Sequence, residues 1–149
     1  METSRFELFS SLISSASKSI QRIKAEKMKK YHLSAAHTAC LCRLADAKEQ
    51  GLTQGQLSAL ESMDRAQISR VLSDLLHREY VSVLDSDKQY KKRYVLTSAG
   101  SEITREIRAI ILDINCFVSQ AIPDEDIQIF YRTLRTIAGN LEQAVETFK

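Results

Sequence analysis

Two helix-start patterns stand close together in the middle of the chain, and they constrain its fold more than any other feature. The stretch TQGQ at 53–56 has a capping threonine and a glutamine at the third helical position, and DRAQ at 64–67 repeats this arrangement with an aspartate. Only residues 61–63 separate the two predicted helices. Two short helices joined by such a tight turn predict a helix-turn-helix.

The hydrophobic period changes from helical to alternating directly behind the second of these helices. Val81 and Val83 alternate with Ser82, and Tyr94 and Leu96 alternate with Val95. The segment DSDKQYKKR at 85–93 lies between them and combines turn-forming residues with a basic cluster. This pattern predicts a two-stranded β-hairpin, and a hairpin behind a helix-turn-helix makes a winged helix.

Long amphipathic helices are predicted on both sides of this core. Apolar side chains recur every three or four positions from Arg5 to Ile23, and again in two helices that follow Thr97 and are separated at Pro123. We therefore expect one mainly α domain over 1–149. Its winged helix-turn-helix portion occupies 33–97, with a two-stranded β-hairpin wing, and long helical portions occupy 1–24 and 98–149.

Composition argues against several classes of protein. The 3 cysteines and 3 histidines have no spacing typical of a metal site or a disulfide framework, so we expect no metal and no cofactor. We find no Ser/His/Asp or Cys/His set and no phosphate-binding glycine loop, and we expect no enzyme. The charged N-terminal stretch does not resemble a signal peptide, and no apolar run is long enough for a membrane span. We therefore expect a cytoplasmic protein.

Charge is distributed unevenly along the chain. Residues 1–52 carry 9 basic and 5 acidic side chains, residues 53–100 carry 7 and 6, and residues 101–149 carry 5 and 8. A basic first portion and an acidic last portion suggest one face for a polyanion and another for a different partner.

The second helix of the pair carries polar side chains suited to reading DNA bases. Arg70 points away from the apolar side and can bridge guanine O6 and N7. Gln67 can pair with adenine or cap its own helix, and Arg65 can contact a base or a phosphate. The amides of Thr53 and Gln54 can face a phosphate as well as begin their helix.

Residues 52–100 resemble the DNA-binding core of the MarR family of bacterial transcription regulators. The family pattern is matched by Asp64-Arg65, by Ile68-Ser69-Arg70, by REYV at 78–81 and by LTSAG at 96–100. The resemblance extends over nearly the whole chain, because family members flank this core with dimerisation helices. It implies that the helical portions 1–24 and 98–149 are dimerisation portions. Two positions depart from it: Glu61-Ser62 replaces a Leu-Gly turn, and DKQ at 87–89 replaces the Asp-x-Arg of the wing, so the motif assigns no minor-groove arginine.

The resemblance implies a homodimeric regulator, most often a repressor, on a pseudo-palindromic site in double-stranded DNA. The second copy would pack on Phe6, Phe9, Leu12, Ile13 and the C-terminal helices. Many members release DNA when a small aromatic ligand enters a cleft, which here would lie near Arg22, Tyr31 and His37. The predicted DNA-binding residues are Thr53, Gln54, Arg65, Gln67, Ser69, Arg70, Lys88, Gln89, Lys91, Lys92 and Arg93.

A second function fits the same fold. Some winged helices assemble with other proteins and do not bind specific DNA. The basic wing and Arg70 argue against this alternative, because assembly faces tend to be apolar.

Overall fold

The computed structural model describes residues 2–84 and 92–149 and confirms a mainly α fold with a winged helix-turn-helix. Two short 3-10 helices, Lys29–Tyr31 and Lys48–Gln50, connect longer elements. Within the described residues no helix has the length and apolar character needed to cross a membrane. The helices are α1 Glu2–Met28, α2 Ala35–Ala47, α3 Gln54–Glu61, α4 Arg65–His77, α5 Ser98–Val118 and α6 Asp124–Thr147, and the strands are β1 Leu52–Thr53, β2 Val81–Leu84 and β3 Arg93–Leu96.

Two compact units are distinguished, Met1–Ile110 and Ile111–Lys149, with the division inside α5. The first unit contains the buried core, to which α2, α3 and α4 each contribute fully buried leucine or isoleucine side chains. The second unit contains the end of α5 and the whole of α6, where no described residue is buried. The division into portions 1–24, 33–97 and 98–149 stays a prediction.

The wing belongs to a three-stranded antiparallel sheet with the order β1-β3-β2. The two strands of the predicted hairpin are present, and Val81 pairs with Leu96 at its base. The sequence did not predict β1, because two residues are too few to show an alternating pattern. Thr53 is the last residue of β1 and also the N-cap of α3, so the sheet leads directly into the helix-turn-helix.

A glycine lets the start of α5 approach the end of the α4–β2 connection. A Cβ atom on Gly100 would lie 1.9 Å from the carbonyl oxygen of Tyr80. The same connection accepts two hydrogen bonds from Thr97, from its amide to Tyr80 O at 3.1 Å and from its hydroxyl to Glu79 O at 2.6 Å. The glycine of the LTSAG stretch is therefore required by backbone contact, which fixes α5 beside the wing.

Burial changes the chemistry of one cysteine. Cys40 is fully buried in α2, whereas Cys116 is exposed and Cys42 is intermediate. Burial, assisted by the nearby charge of Glu61, raises the pKa of the Cys40 thiol to about 11. A thiol with this pKa is protonated at neutral pH and packs as a small apolar side chain.

Replacing Gly100 with alanine should destabilise the protein, although alanine favours helices. Helix propensity would contribute about 1 kcal/mol in favour of alanine, but forcing a methyl group against a fixed carbonyl costs about 1–3 kcal/mol or more. We expect a lower urea midpoint for Gly100→Ala at equal protein concentration.

Gly139→Ala is the matched control, because a Cβ atom there meets nothing within 4 Å and the residue lies in α6. This substitution should leave stability unchanged or raise it by up to about 1 kcal/mol. Equal midpoints for the two variants would show that the Gly100 contact does not constrain the fold.

Candidate nucleic-acid interface

The first helix of the pair begins with the predicted reciprocal cap. Thr53 Oγ1 accepts the Gln56 amide at 3.2 Å, and Gln56 Oε1 accepts the Thr53 amide at 2.9 Å. The Thr53 amide is therefore engaged inside the protein. Of the two amides predicted to face a phosphate, that of Gln54 is the better candidate.

The turn between α3 and α4 is made without glycine. Ser62 adopts a left-handed conformation with φ 52°, at the position where the family pattern has glycine. The Ser58 hydroxyl donates to the carbonyl of Met63 across this turn. A left-handed non-glycine residue costs about 1–2 kcal/mol, and the hydrogen bond across the turn contributes about 0.5–1.5 kcal/mol in the opposite direction.

Helix α4 divides into a buried side and an outward face. Ile68, Leu72 and Leu75 are buried, and the helix starts where Asp64 Oδ1 accepts the Gln67 amide at 2.7 Å. The outward face of α4 carries exposed Arg65, Ser69 and Arg70 and half-buried Gln67. Among the described residues the Gln67 side chain makes no hydrogen bond, so the alternative in which it caps its own helix is not realised.

The arginines of the first unit differ in whether a carboxylate neutralises them. Three arginines outside the outward face of α4 form salt bridges, in the pairs Arg43–Glu61, Arg78–Asp74 and Arg108–Asp46. Hydrogen bonding to the carboxylate raises the pKa of Arg43 and of Arg108. Within residues 2–84 and 92–149, Arg65 and Arg70 have no carboxylate partner, which leaves positive charge available at the start of α4.

Two connections bring the parts of this surface together. Gln54 Nε2 donates to the carbonyl of Arg65 at 3.0 Å, which ties the start of α3 to the start of α4. Thr53 is the register partner of Arg93, so the base of the wing lies beside the start of α3. The two helix starts and the wing base therefore form one continuous surface.

The wing residues predicted from sequence fall into three groups. Lys88, Gln89 and Lys91 lie outside the described residues. Lys92 is exposed immediately before β3. Arg93 is half-buried, and its guanidinium donates from Nε to Gln50 O at 2.7 Å and from Nη2 to Gly51 O at 2.9 Å. Its direct contact with DNA stays a prediction.

His37, predicted near an effector cleft, connects the start of α2 to α4. Its Nδ1 accepts the Ser34 amide at 3.2 Å and lies 2.6 Å from Ser34 Oγ. Because Nδ1 accepts a hydrogen bond there, Nε2 carries the hydrogen of the neutral ring and donates to Asp74 Oδ2 at 2.7 Å. Asp74 also accepts from Arg78 Nε at 2.9 Å, so one carboxylate receives bonds from two side chains.

This contact corrects one conclusion from the sequence, which found no Ser/His/Asp set. Ser34, His37 and Asp74 are in hydrogen-bond contact. Sequence spacing did not predict this, because Asp74 lies 37 positions after His37 in the chain. The Ser34 hydroxyl occupies the N-cap of α2 and accepts the His37 amide at 3.3 Å. We assign the trio to helix capping and to the α2–α4 contact.

The three predicted effector residues do not all come together. The carbonyl of Tyr31 accepts from Arg78 Nη1 at 3.3 Å, which places Tyr31 in the same network as His37, and its hydroxyl donates to Glu106 at 3.0 Å. Arg22 lies in an exposed groove on α1 with Ser19 and Ile23. A second open groove, of about 420 Å³, contains none of the three residues and is lined by Leu44, Ala45, Lys48, Glu49, Leu84, Val95, Leu96 and Ser101.

Known structures share this architecture, although no family model and no curated protein sequence matches the chain. A MarR family transcription regulator superposes with a TM-score of 0.86 at 18% identity, covering 97% of this chain and 95% of that chain. S. aureus MepR in a complex with DNA has a TM-score of 0.80 at 16% identity, covering 89% and 96%. A MarR family regulator from Silicibacter pomeroyi has a TM-score of 0.74 at 23% identity, covering 87% and 86%.

These identities are low, so the likeness concerns the course of the backbone and not the individual contact residues. It extends over most of each chain, including the helices outside the winged core. The protein therefore has the winged helix-turn-helix fold of the MarR family transcription regulators.

Proposed function

We propose that this protein is a MarR family transcription regulator that binds a specific site in double-stranded DNA as a homodimer. The observation that carries the proposal is the outward face of α4, where Arg65 and Arg70 lack carboxylate partners among the described residues. This face adjoins the start of α3 and the base of the wing. MepR, which has the same fold, was solved in a complex with DNA.

Base recognition is assigned to the start of α4. The helix has 13 residues, about 20 Å at 1.5 Å per residue, and the major groove of DNA is about 12 Å wide and admits one helix. Arg70 is exposed one turn inside the helix, where its guanidinium can bridge guanine O6 and N7. Gln67 offers an amide for adenine, Ser69 a hydroxyl, and Arg65 a contact to a base or a phosphate.

Phosphate contacts are assigned to the two ends of the continuous surface. At one end the amide of Gln54 lies at the start of α3, where the helix dipole favours an anion. At the other end Lys92 is exposed beside the base of the wing. Lys88, Gln89 and Lys91 precede it, and lysines are sufficient for phosphate contact because that contact depends on charge.

Dimerisation is inferred from exposed apolar side chains on the outer helices. In α1, Phe6 is 61% exposed and Leu12 is 60% exposed, and Ile13 continues the same stripe. In α6, Phe130 is 55% exposed and Val145 is 63% exposed. Stripes of this kind on long helices mark protein interfaces, and a two-fold dimer would place the two α4 helices about 34–36 Å apart on a pseudo-palindrome.

We infer that the regulator is a repressor and that a small aromatic ligand releases it from DNA. A ligand bound near Tyr31 and His37 would compete for the hydrogen bonds that connect these two residues to Arg78 and Asp74. Arg22, in the groove on α1, is not part of this network. Arg78 and Asp74 belong to α4 or its C-cap. Ligand binding would therefore shift the equilibrium between positions of α4, provided that the ligand prefers one of them.

The first test of the function is the salt dependence of DNA binding. The protein should select fragments from genomic DNA, and its affinity for a selected duplex should fall steeply as salt rises, because each phosphate contact contributes about 0.9 to the slope of log K against log salt. Fluorescence anisotropy of a labelled duplex measures this slope. Undetectable or salt-insensitive binding to every duplex tried would favour the protein-assembly alternative.

Arg70→Ala should weaken binding to the selected duplex by about 1–3 kcal/mol, because a bidentate guanine contact is lost. Affinity for a scrambled duplex should fall much less, so the ratio of the two affinities should decrease.

Arg70→Lys is the matched control, since it keeps the charge and loses the two-pronged geometry. It should lower the same ratio while leaving affinity for the scrambled duplex near that of the original protein. An unchanged footprint and unchanged affinities in both variants would remove Arg70 from the site.

Leu12→Asp should weaken the homodimer, because association would bury an unpaired carboxylate at a cost of about 3 kcal/mol or more. This corresponds to roughly 100-fold or more in the dimer dissociation constant, which sedimentation equilibrium measures. Ser11→Asp adds the same charge at the preceding position, which faces away from the stripe, and should leave the dissociation constant unchanged. Equal effects in both variants would argue that the stripe is not the interface.

A further inference from the structure

We propose that Arg93 positions the wing against the start of α3, and that this side chain acts through the protein backbone instead of through a DNA phosphate. The inference rests on the proposed function, because it assigns a role within the DNA-binding surface. It starts from the two hydrogen bonds that the Arg93 guanidinium donates to the carbonyls of Gln50 and Gly51, at 2.7 and 2.9 Å.

The carbonyls bound by Arg93 need a donor from outside their own segment. Gln50 ends a 3-10 helix, and Gly51 is its C-cap with φ 63°. Carbonyl groups at a helix end have no partner within the helix, and arginine side chains commonly satisfy them. The planar guanidinium presents two N–H groups in a fixed geometry that matches two successive carbonyls, whereas a lysine ammonium does not.

The segment that Arg93 holds leads directly into the helix-turn-helix. Strand β1 pairs with β3 at only two positions, Leu52 with Tyr94 and Thr53 with Arg93. The arginine extends this short connection to the two preceding residues. Gly51 also packs closely on β3, since a Cβ atom there would lie 2.4 Å from the carbonyl of Tyr94. The base of the wing and the N-cap of α3 are thereby held as one unit.

Neighbouring basic residues of the wing therefore have different environments. Lys92 is exposed to solvent, and Arg93 is half-buried with its charged group directed onto the protein backbone. Lys92 is suited to contact phosphate, and Arg93 is suited to fix the direction from which the wing approaches DNA.

The test compares Arg93→Lys and Arg93→Gln with the matched control Lys92→Gln. Lys92→Gln should lower the salt slope by about 0.9, the loss of one phosphate contact. Arg93→Lys keeps the charge but should bind the selected duplex as weakly as Arg93→Gln, with a slope reduced by more than about 0.9, because several wing contacts are lost together. Wild-type affinity and slope in Arg93→Lys would overturn the proposal.

A double substitution separates positioning from a general effect on stability. If Arg93 holds the wing in place, Lys92→Gln should lower the salt slope less in the Arg93→Lys background than in the original protein. Additive effects of the two substitutions would overturn the proposal, because they indicate independent contacts.

Amide hydrogen exchange provides a readout that does not depend on DNA. Exchange at residues 50–53 should be faster in Arg93→Lys and Arg93→Gln than in the original protein and in Lys92→Gln, whereas exchange in α4 should not change. Unchanged exchange at 50–53 would overturn the proposed anchoring. Should the original protein bind no duplex, the proposed function fails and the wing role of Arg93 fails with it. If the original protein and Arg93→Lys bind the selected duplex equally well, the function stands and this inference alone fails.

Discussion

Burial of one side of α4 is the constraint on which the rest of the proposed interface depends. Ile68, Leu72 and Leu75 are almost completely removed from solvent, and each such side chain contributes about 1.5–3 kcal/mol. A helix rotation that exposed them would lose this energy. The orientation of the opposite face, with Arg70 exposed, is therefore set by packing and not by any contact that Arg70 makes itself.

Close backbone contacts at two glycines join the wing to this packed unit. Gly100 allows the start of α5 to touch the carbonyl of Tyr80, and Gly51 allows the loop before β1 to touch that of Tyr94. A side chain at either position would push two backbone segments apart. The base of the wing is thus fixed by close approach between backbones as well as by its strand pairing.

The sequence predicted the elements that depend on local patterns. Both helix starts of the helix-turn-helix, the strands of the hairpin and the long outer helices follow from caps and hydrophobic periods, and each is present. Contacts between distant residues were not predictable in the same way. His37 meets Asp74 across 37 positions, and Arg93 meets Gln50 across 43. No periodic pattern marks either pair, because both depend on how separate elements pack.

The partners of the arginine side chains connect the fold with the proposed function. A cation that a protein carboxylate neutralises contributes little to binding a polyanion, since binding would have to displace that carboxylate. Arg43 and Arg108 pair α2 with α3 and with α5, and Arg78 pairs with Asp74 of its own helix. Arg93 keeps its charge, because its partners are neutral carbonyls, but two N–H groups of its guanidinium are already bound within the protein. Counting basic residues along the wing therefore overstates the number of side chains available for direct contact with phosphate.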